Sequence, residues 1–251
     1  MTARGSFGAR TTSFVGLLPR SAPLGLVLLC SLGWTGKRAA AEGRWVQLVG
    51  AQQHYTVFLR ESRPARSSWQ PAVRCLVSLR LYNWGPDQSF TMSHTEVPRF
   101  PTERFRVWRN DQPLRCRKLG QDDYFTVFAA SGETLQIVYE YVERVLPANP
   151  EARIDVFEDT WGFTGFRPPL EDLQVVVDLG PMYARYRTFP AFGRSSATPA
   201  YTYEDFFHRF FRISPPGYRT QGTEVWWNIH NGGVRVTTAA RLHVEWRAWY
   251  R

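Results

Sequence analysis

Between residues 54 and 159 the chain alternates apolar and polar side chains so persistently that a helical reading fails. The runs are HYTVFLR (54–60), AVRCLVSLRLYNW (72–84), RFRVWR (104–109), DYFTVF (123–128), TLQIVYEYV (134–142) and ARIDVFED (152–159). Only an extended backbone sends successive side chains to opposite faces, so a period of two means half-buried strands. NWGPDQ, RNDQP, ASGE and LPANPE separate the runs, each rich in the Gly, Pro, Asn and Asp that tight turns use. Short strands at fairly regular spacing predict an antiparallel sandwich or barrel. No Gly-rich turn leads from a strand into a helix, which argues against a nucleotide fold.

The adjacent carboxylates Asp122 and Asp123 fall within this punctuation. They close a polar loop and start a strand, and Ser131-Gly132-Glu133 makes the tight connection to the next one. A calcium loop needs a series of spaced oxygen ligands, and none follows them.

After Asp159 the pattern changes. LQVVVDL (173–179) is a compact apolar strand, and GPMYARYRTFPAFGRSSATPA (180–200) reads as a connector. Tyr203, Phe206, Phe207, Phe210 and Phe211 then recur at helical spacing, a single aromatic stripe that predicts one amphipathic helix packed on the core. Thr202 suits its N-cap, and Ser214-Pro215-Pro216-Gly217 marks its end. Beyond it, Asn231-Gly232 between apolar runs predicts a C-terminal β-hairpin through a type I′ turn.

The front of the chain obeys other rules. Its formal net charge of +9 is concentrated there: Arg4, Arg10, Arg20, Lys37 and Arg38 precede the first acid, Glu42. PRSAPLGLVLLCSLGW (19–34) adds an apolar run too short to span a bilayer, and Ala39 and Ala41 give a small-x-small cleavage pattern. Residues 1–41 therefore read as a cleavable export signal, with an organelle transit peptide or a short outward-facing membrane anchor as alternatives. The expected location is periplasmic or secreted, and membrane association would run through this segment. The remaining charge is a mild basic surplus, which suits an acidic partner and does not call for nucleic acid.

In an oxidising compartment a Cys75–Cys116 disulfide is the economical reading, because both thiols lie on apolar strand faces. Two buried free thiols are the alternative. Residues 42–170 are then the sandwich, and 171–251 a hairpin-plus-helix extension packed on it.

LVSLRLYNWG, RFRVWRNDQPL, DDYFTVFAASGETLQIVYEYV and ARIDVF follow in order between Leu76 and Phe157. This segment resembles the immunoglobulin-like sandwich that accompanies secreted metallopeptidases of the deuterolysin type and related proteinase-inhibitor-like modules. The resemblance implies an all-β, immunoglobulin-like antiparallel sandwich. The peptidase half of that family would carry a His-Glu-x-x-His helix, and this sequence has no such pentapeptide. What is implied is a binding, folding or inhibitory module without its own hydrolase.

Four constellations could hold chemistry. Arg60, Arg63 and Arg66 form a basic loop beside Trp69, suited to an acidic protein patch, a phosphate or a sugar acid. Trp226, Trp227, Trp246 and Trp249 could stack on a glycan if exposed. Asp155, Glu158 and Asp159 could serve a carboxylate-dependent hydrolase. His243 and Glu245 share a strand face and could meet His230 only if the strand bends. No G-x-S-x-G elbow is present, and neither a metal nor a cofactor is expected. The favoured reading is an exported, non-catalytic module that binds another protein or serves an envelope complex. Arg60, Arg63, Arg66, Trp69, Trp226 and Trp227 are its candidate contact residues, and a carbohydrate binder and a hydrolase are the rivals.

Overall fold

The computed structural model describes residues 40–41, 45–61, 69–95, 101–145, 147–149, 151–160, 172–188, 202–230 and 241–250. In chain order the strands begin with β1 (Ala40–Ala41), β2 (Val46–Glu61), β3 (Trp69–Asn83), β4 (Gln88–Thr95), β5 (Thr102–Arg109) and β6 (Gln112–Leu114). They continue with β7 (Arg117–Leu119), β8 (Asp122–Ala129), β9 (Thr134–Arg144), β10 (Pro147–Asn149), β11 (Ile154–Thr160) and β12 (Asp172–Asp178). Two helices follow, α1 (Gly180–Thr188) and α2 (Tyr203–Phe210). Then come β13 (Phe211–Ser214), β14 (Arg219–Gln221), β15 (Glu224–His230) and β16 (Arg241–Arg247).

The fold is an all-β sandwich. One eight-stranded sheet has the order β14-β15-β12-β2-β3-β9-β5-β6, and two four-stranded sheets have the orders β1-β4-β8-β7 and β10-β11-β16-β13. Alternation decides which side of each strand is buried. On β3, Val73, Cys75, Val77, Leu79 and Leu81 are buried, while Arg74 and Arg80 are exposed. Tyr55 of the large sheet meets Phe157 of one small sheet at 5.4 Å between ring centroids. His94 of the other small sheet lies 4.3 Å from Tyr141 on β9. Both small sheets thus contribute to one continuous core with the inner face of the large one.

Turn chemistry appears where it was read. Leu119 pairs with Asp122 across a two-residue turn in which Gly120 has a φ of 64°, and Tyr124 donates to the Asp122 carboxylate at 3.0 Å. Asn83, fully buried, fastens two loops at once. Its side-chain amide donates to the carbonyls of Pro86, Ala129 and Ala130, and its oxygen accepts from Gly85 N–H and from Gln88. Such a satisfied buried amide carries no desolvation penalty and holds the β3–β4 and β8–β9 connections in register.

The C-terminal part departs from expectation in four ways. First, β12 pairs antiparallel with β15 but parallel with β2, so the large sheet is mixed. Second, the Asn231-Gly232 turn lies outside the described residues, and the strands on either side of it, β15 and β16, belong to different sheets. The hairpin partner of β15 is β14, joined through Gly222-Thr223 with Gly222 at a φ of 59°. Third, α2 stops at Phe210, because Phe211 is extended and pairs with Trp246 of β16. The aromatic stripe itself is buried at Phe206, Phe207 and Phe210, and Thr202 and Asp205 cap each other reciprocally as a capping box. Fourth, α1 occupies the first part of the expected connector. Only Met182 and Tyr186 of it are buried, one turn apart, too sparse a stripe to read from sequence. Neither helix is long and apolar enough to cross a membrane.

Cys75 and Cys116 are free thiols, and the bridge between them is not formed. Cys75 faces the core from β3, whereas Cys116 follows β6, three strands away in the sheet order. A disulfide spans Cα atoms only ~4.4–6.8 Å apart, little more than one strand spacing. Burial and the nearby Asp123 carboxylate push the Cys116 thiol above its ordinary pKa, which disfavours the reactive thiolate.

Candidate functional site

The basic loop does not assemble as a site. Arg63 and Arg66 lie outside the described residues. Arg60 is consumed by an ion pair, its guanidinium donating twice to Glu103 at 2.8 and 3.1 Å, and Arg144 donates to the same carboxylate at 3.0 Å. Trp69 is half-buried beneath the Arg185 guanidinium, 3.7 Å from the ring centroid. The Arg60 hydrogen bonds, helped by those of Arg144, pull the Glu103 pKa down to about 2. A carboxyl group depressed in the folded state stabilises above its unfolded pKa and loses that contribution as pH falls through the folded value. Glu103→Gln is therefore expected to flatten the acid limb of stability between about pH 4.5 and about pH 2. At neutral pH it should cost on the order of 1 kcal/mol, since the trio is partly open to solvent. Urea midpoints measured across that pH range check it.

The tryptophan platform does not form either. Trp227, Trp246 and Trp249 are buried, and only Trp226 is partly open. Trp227 donates its indole N–H to Pro215 O at 3.1 Å and lies edge-on to Tyr218, so it fills the core between β15 and the loop after β13.

The acidic cluster is split between the two faces of its strand. Asp155 and Asp159 point inward with Phe157: Tyr250 donates to Asp155, and Tyr55 donates to Asp159 at 2.8 Å. Glu158 points the other way and meets β16, where His243 Nδ1 lies 3.0 Å and Arg241 2.8 Å from its carboxylate. His243 Nε2 is 3.9 Å from Glu245, so two carboxylates flank the ring on a partly open strand face. His230 has no described side chain, and no group of three His, Cys, Asp or Glu residues among the described ones could hold a metal ion. Asp155 and Asp159 are buried against tyrosine hydroxyls and Glu158 lies on the opposite side of the strand, so the three carboxylates do not line one open cleft.

A different group of residues does converge, and it begins at Gly50. Within β2 the alternation slips by one residue: Leu48 pairs with Leu81 and Gly50 with Arg80, so Val49 is the extra residue of a β-bulge. Gly50 now faces outward beside Arg80, and an added Cβ would stand 3.4 Å from the Arg80 guanidinium. On the other side, one step before the Leu173–Ala51 pair, Asp172 comes alongside Gly50. Beyond Arg80 lies its pairing partner Gln136 on β9. A missing side chain between two charged ones opens a notch in the sheet's outer face.

The adjoining row is a chain of amides. Gln52 donates to Gln174 at 2.7 Å, Gln174 donates to Asn228 at 3.1 Å, and Gln136 donates to Ser78 at 2.8 Å. Together with Gly50, Ala51, Arg80, Asp172 and Leu173 these residues line an open hollow of about 380 Å³. Arg80 makes no hydrogen bond or ion pair among the described residues. The hollow offers one guanidinium, one carboxylate, the Ser78 hydroxyl and several amides that both donate and accept. Such a lining can match the polar groups of a ligand. None of these residues stands out in the sequence. The only local signal is the phase slip at Gly50-Ala51 inside an otherwise alternating strand.

No protein-family model and no curated protein sequence matches the chain. Among solved structures, a candidate nutrient-binding protein of Legionella pneumophila matches 83% of this chain and 72% of its own at 10% identity, with a TM-score of 0.51. The M1 zinc metallopeptidase of Deinococcus radiodurans matches 80% of this chain at 14% identity, with a TM-score of 0.40. This chain spans 42% of that peptidase. At such identities the first likeness is one of fold.

Proposed function

We propose that this chain is an exported, non-catalytic protein-binding module or an accessory subunit of an envelope complex, and that it docks a partner protein on the outer face of its eight-stranded sheet. The hollow around Gly50 carries this reading, because it gathers polar side chains from five neighbouring strands, β15, β12, β2, β3 and β9, with the Arg80 guanidinium among them. Most sheet edges offer little to strand addition: β7, β10, β13, β14 and β6 are all four residues or shorter. A face lined with amides and a free guanidinium suits a protein surface, where hydrogen-bond patterns give specificity. The acid-free leader supports export, and the likeness to a candidate nutrient-binding protein supports a binding role for this fold.

Affinity capture from envelope extract with the full chain tests the reading. A stoichiometric partner is expected with the wild type, reduced at least tenfold by the pair Gln52→Ala and Gln174→Ala. Thr126→Ala, exposed on the outward side of β8, should leave capture unchanged. Capture that is insensitive to the hollow pair, or no partner at all, would remove this face from consideration. Intact mass of the native protein reports whether residues 1–41 are cleaved.

A further inference from the structure

Resting on the docking face just described, we infer that the Gly50 notch receives the carboxyl terminus of a partner polypeptide. Arg80 would bind the terminal carboxylate, and the amide row of Gln52, Gln174 and Asn228 would bind the preceding peptide units.

Three observations lead there. The Arg80 guanidinium has no carboxylate of its own among the described residues, yet it leans over Gly50, where the absent side chain leaves its donors accessible. A guanidinium presents paired N–H groups in the geometry a carboxylate accepts, so the vacant partner is most simply an anion of that shape. The amide row then continues across three strands beside it, at hydrogen-bond distances of 2.7 and 3.1 Å along the row. Each Asn or Gln side chain both donates and accepts, as does each peptide unit, so an extended tail can exchange hydrogen bonds with the row without leaving a polar group unmatched. The volume of about 380 Å³ lies at the small end of ligand sites and suits a few residues of chain.

Charge adds a second selection. Asp172 stands across Gly50 from Arg80, about two strand spacings or roughly 10 Å away between backbones. The terminal carboxylate is therefore held on the Arg80 side of the notch, away from the Asp172 carboxylate.

The test uses the full chain in equilibrium dialysis against randomised tripeptides read by mass spectrometry, in three forms: N-acetylated with a free carboxyl end, N-acetylated and amidated, and unmodified. Free-carboxyl peptides should be retained at least about tenfold over amidated ones, the size of a charge-assisted hydrogen-bonded pair. Acetylation should make no difference. R80Q should bring the ratio to about one, and R80K, which keeps the charge and loses the fork, should fall between. Equal retention of acid and amide, retention of neither, or a ratio unmoved by R80Q would overturn the assignment. Retention that requires a free amino end would overturn it as well, since the ligand would then be a free peptide. A captured partner sensitive to the Gln52 and Gln174 pair, together with any of these failures, removes the carboxyl-terminus reading alone and leaves the docking face standing.

Discussion

Trp246→Ala should lower the stability of this protein by about 3–5 kcal/mol, the range for emptying a large aromatic site in a core. The indole is fully buried, its ring stacks on Phe211 with centroids 6.1 Å apart, and its N–H donates to the Tyr250 hydroxyl at 3.0 Å. Tyr250 in turn donates to the buried Asp155 carboxylate. Alanine therefore removes the filling of the core and the donor that orients Tyr250. Total stabilities of single domains are about 5–15 kcal/mol, so the loss is about a fifth or more of what holds the fold. Trp246→Phe keeps most of the ring and gives up the hydrogen bond, and about 1–2 kcal/mol is expected. Urea denaturation followed by circular dichroism separates the two. If both variants match the wild type within about 0.5 kcal/mol, β16 does not anchor the core as described.

The second large effect concerns the inward-facing acid on the same sheet. Tyr55 is fully buried, and its hydroxyl donates to Asp159 at 2.8 Å. Burial, then the Asp159 charge, raise the Tyr55 pKa well above its ordinary value, so the hydroxyl stays protonated and keeps donating. Tyr55→Phe leaves the ring against Phe157 and removes only that donor. A hydrogen bond to a charged group contributes about 1.5–3 kcal/mol, and the loss should fall in that range. In an Asp159→Asn background the acceptor is neutral, and the same substitution should cost about 1 kcal/mol. The difference between the two costs is the coupling, which a double-mutant cycle reads directly. Identical costs in both backgrounds would mean that the Asp159 charge is held by other groups.

The placement of these acids is legible in the alternation of their strand. Asp155, Phe157 and Asp159 share one strand face, and a phenylalanine inside a strand faces the core, so both carboxylates could be placed indoors from the sequence. Proximity in the chain suggested a cleft instead, and the structure sends Glu158 to the other side. Trp227 repeats the lesson. It alternates in phase with Val225 and Ile229, which marks it as core, as the structure finds. The α2 stripe was legible because five aromatic residues share one period, and α1 was not, because its two buried residues give no pattern. Arg60 could not be assigned to Glu103 in advance, since the two are 43 residues apart on β2 and β5, with β3 and β9 between those strands in the sheet order.

What the amino-acid sequence settles by itself is the extended backbone of the longer alternating runs, the buried side of those strands, the aromatic helix and several of the turns between them. All of these are set within a few residues by backbone pleat, side-chain period and turn chemistry. Only the tertiary structure decides that β12 inserts parallel to β2, that β15 and β16 part into different sheets, and that Asp172, Gly50 and Arg80 form one row. Lateral order and register come from how large apolar faces fit together between segments as much as 122 residues apart, as Gln52 and Gln174 are. That fit leaves no periodic trace in either segment alone.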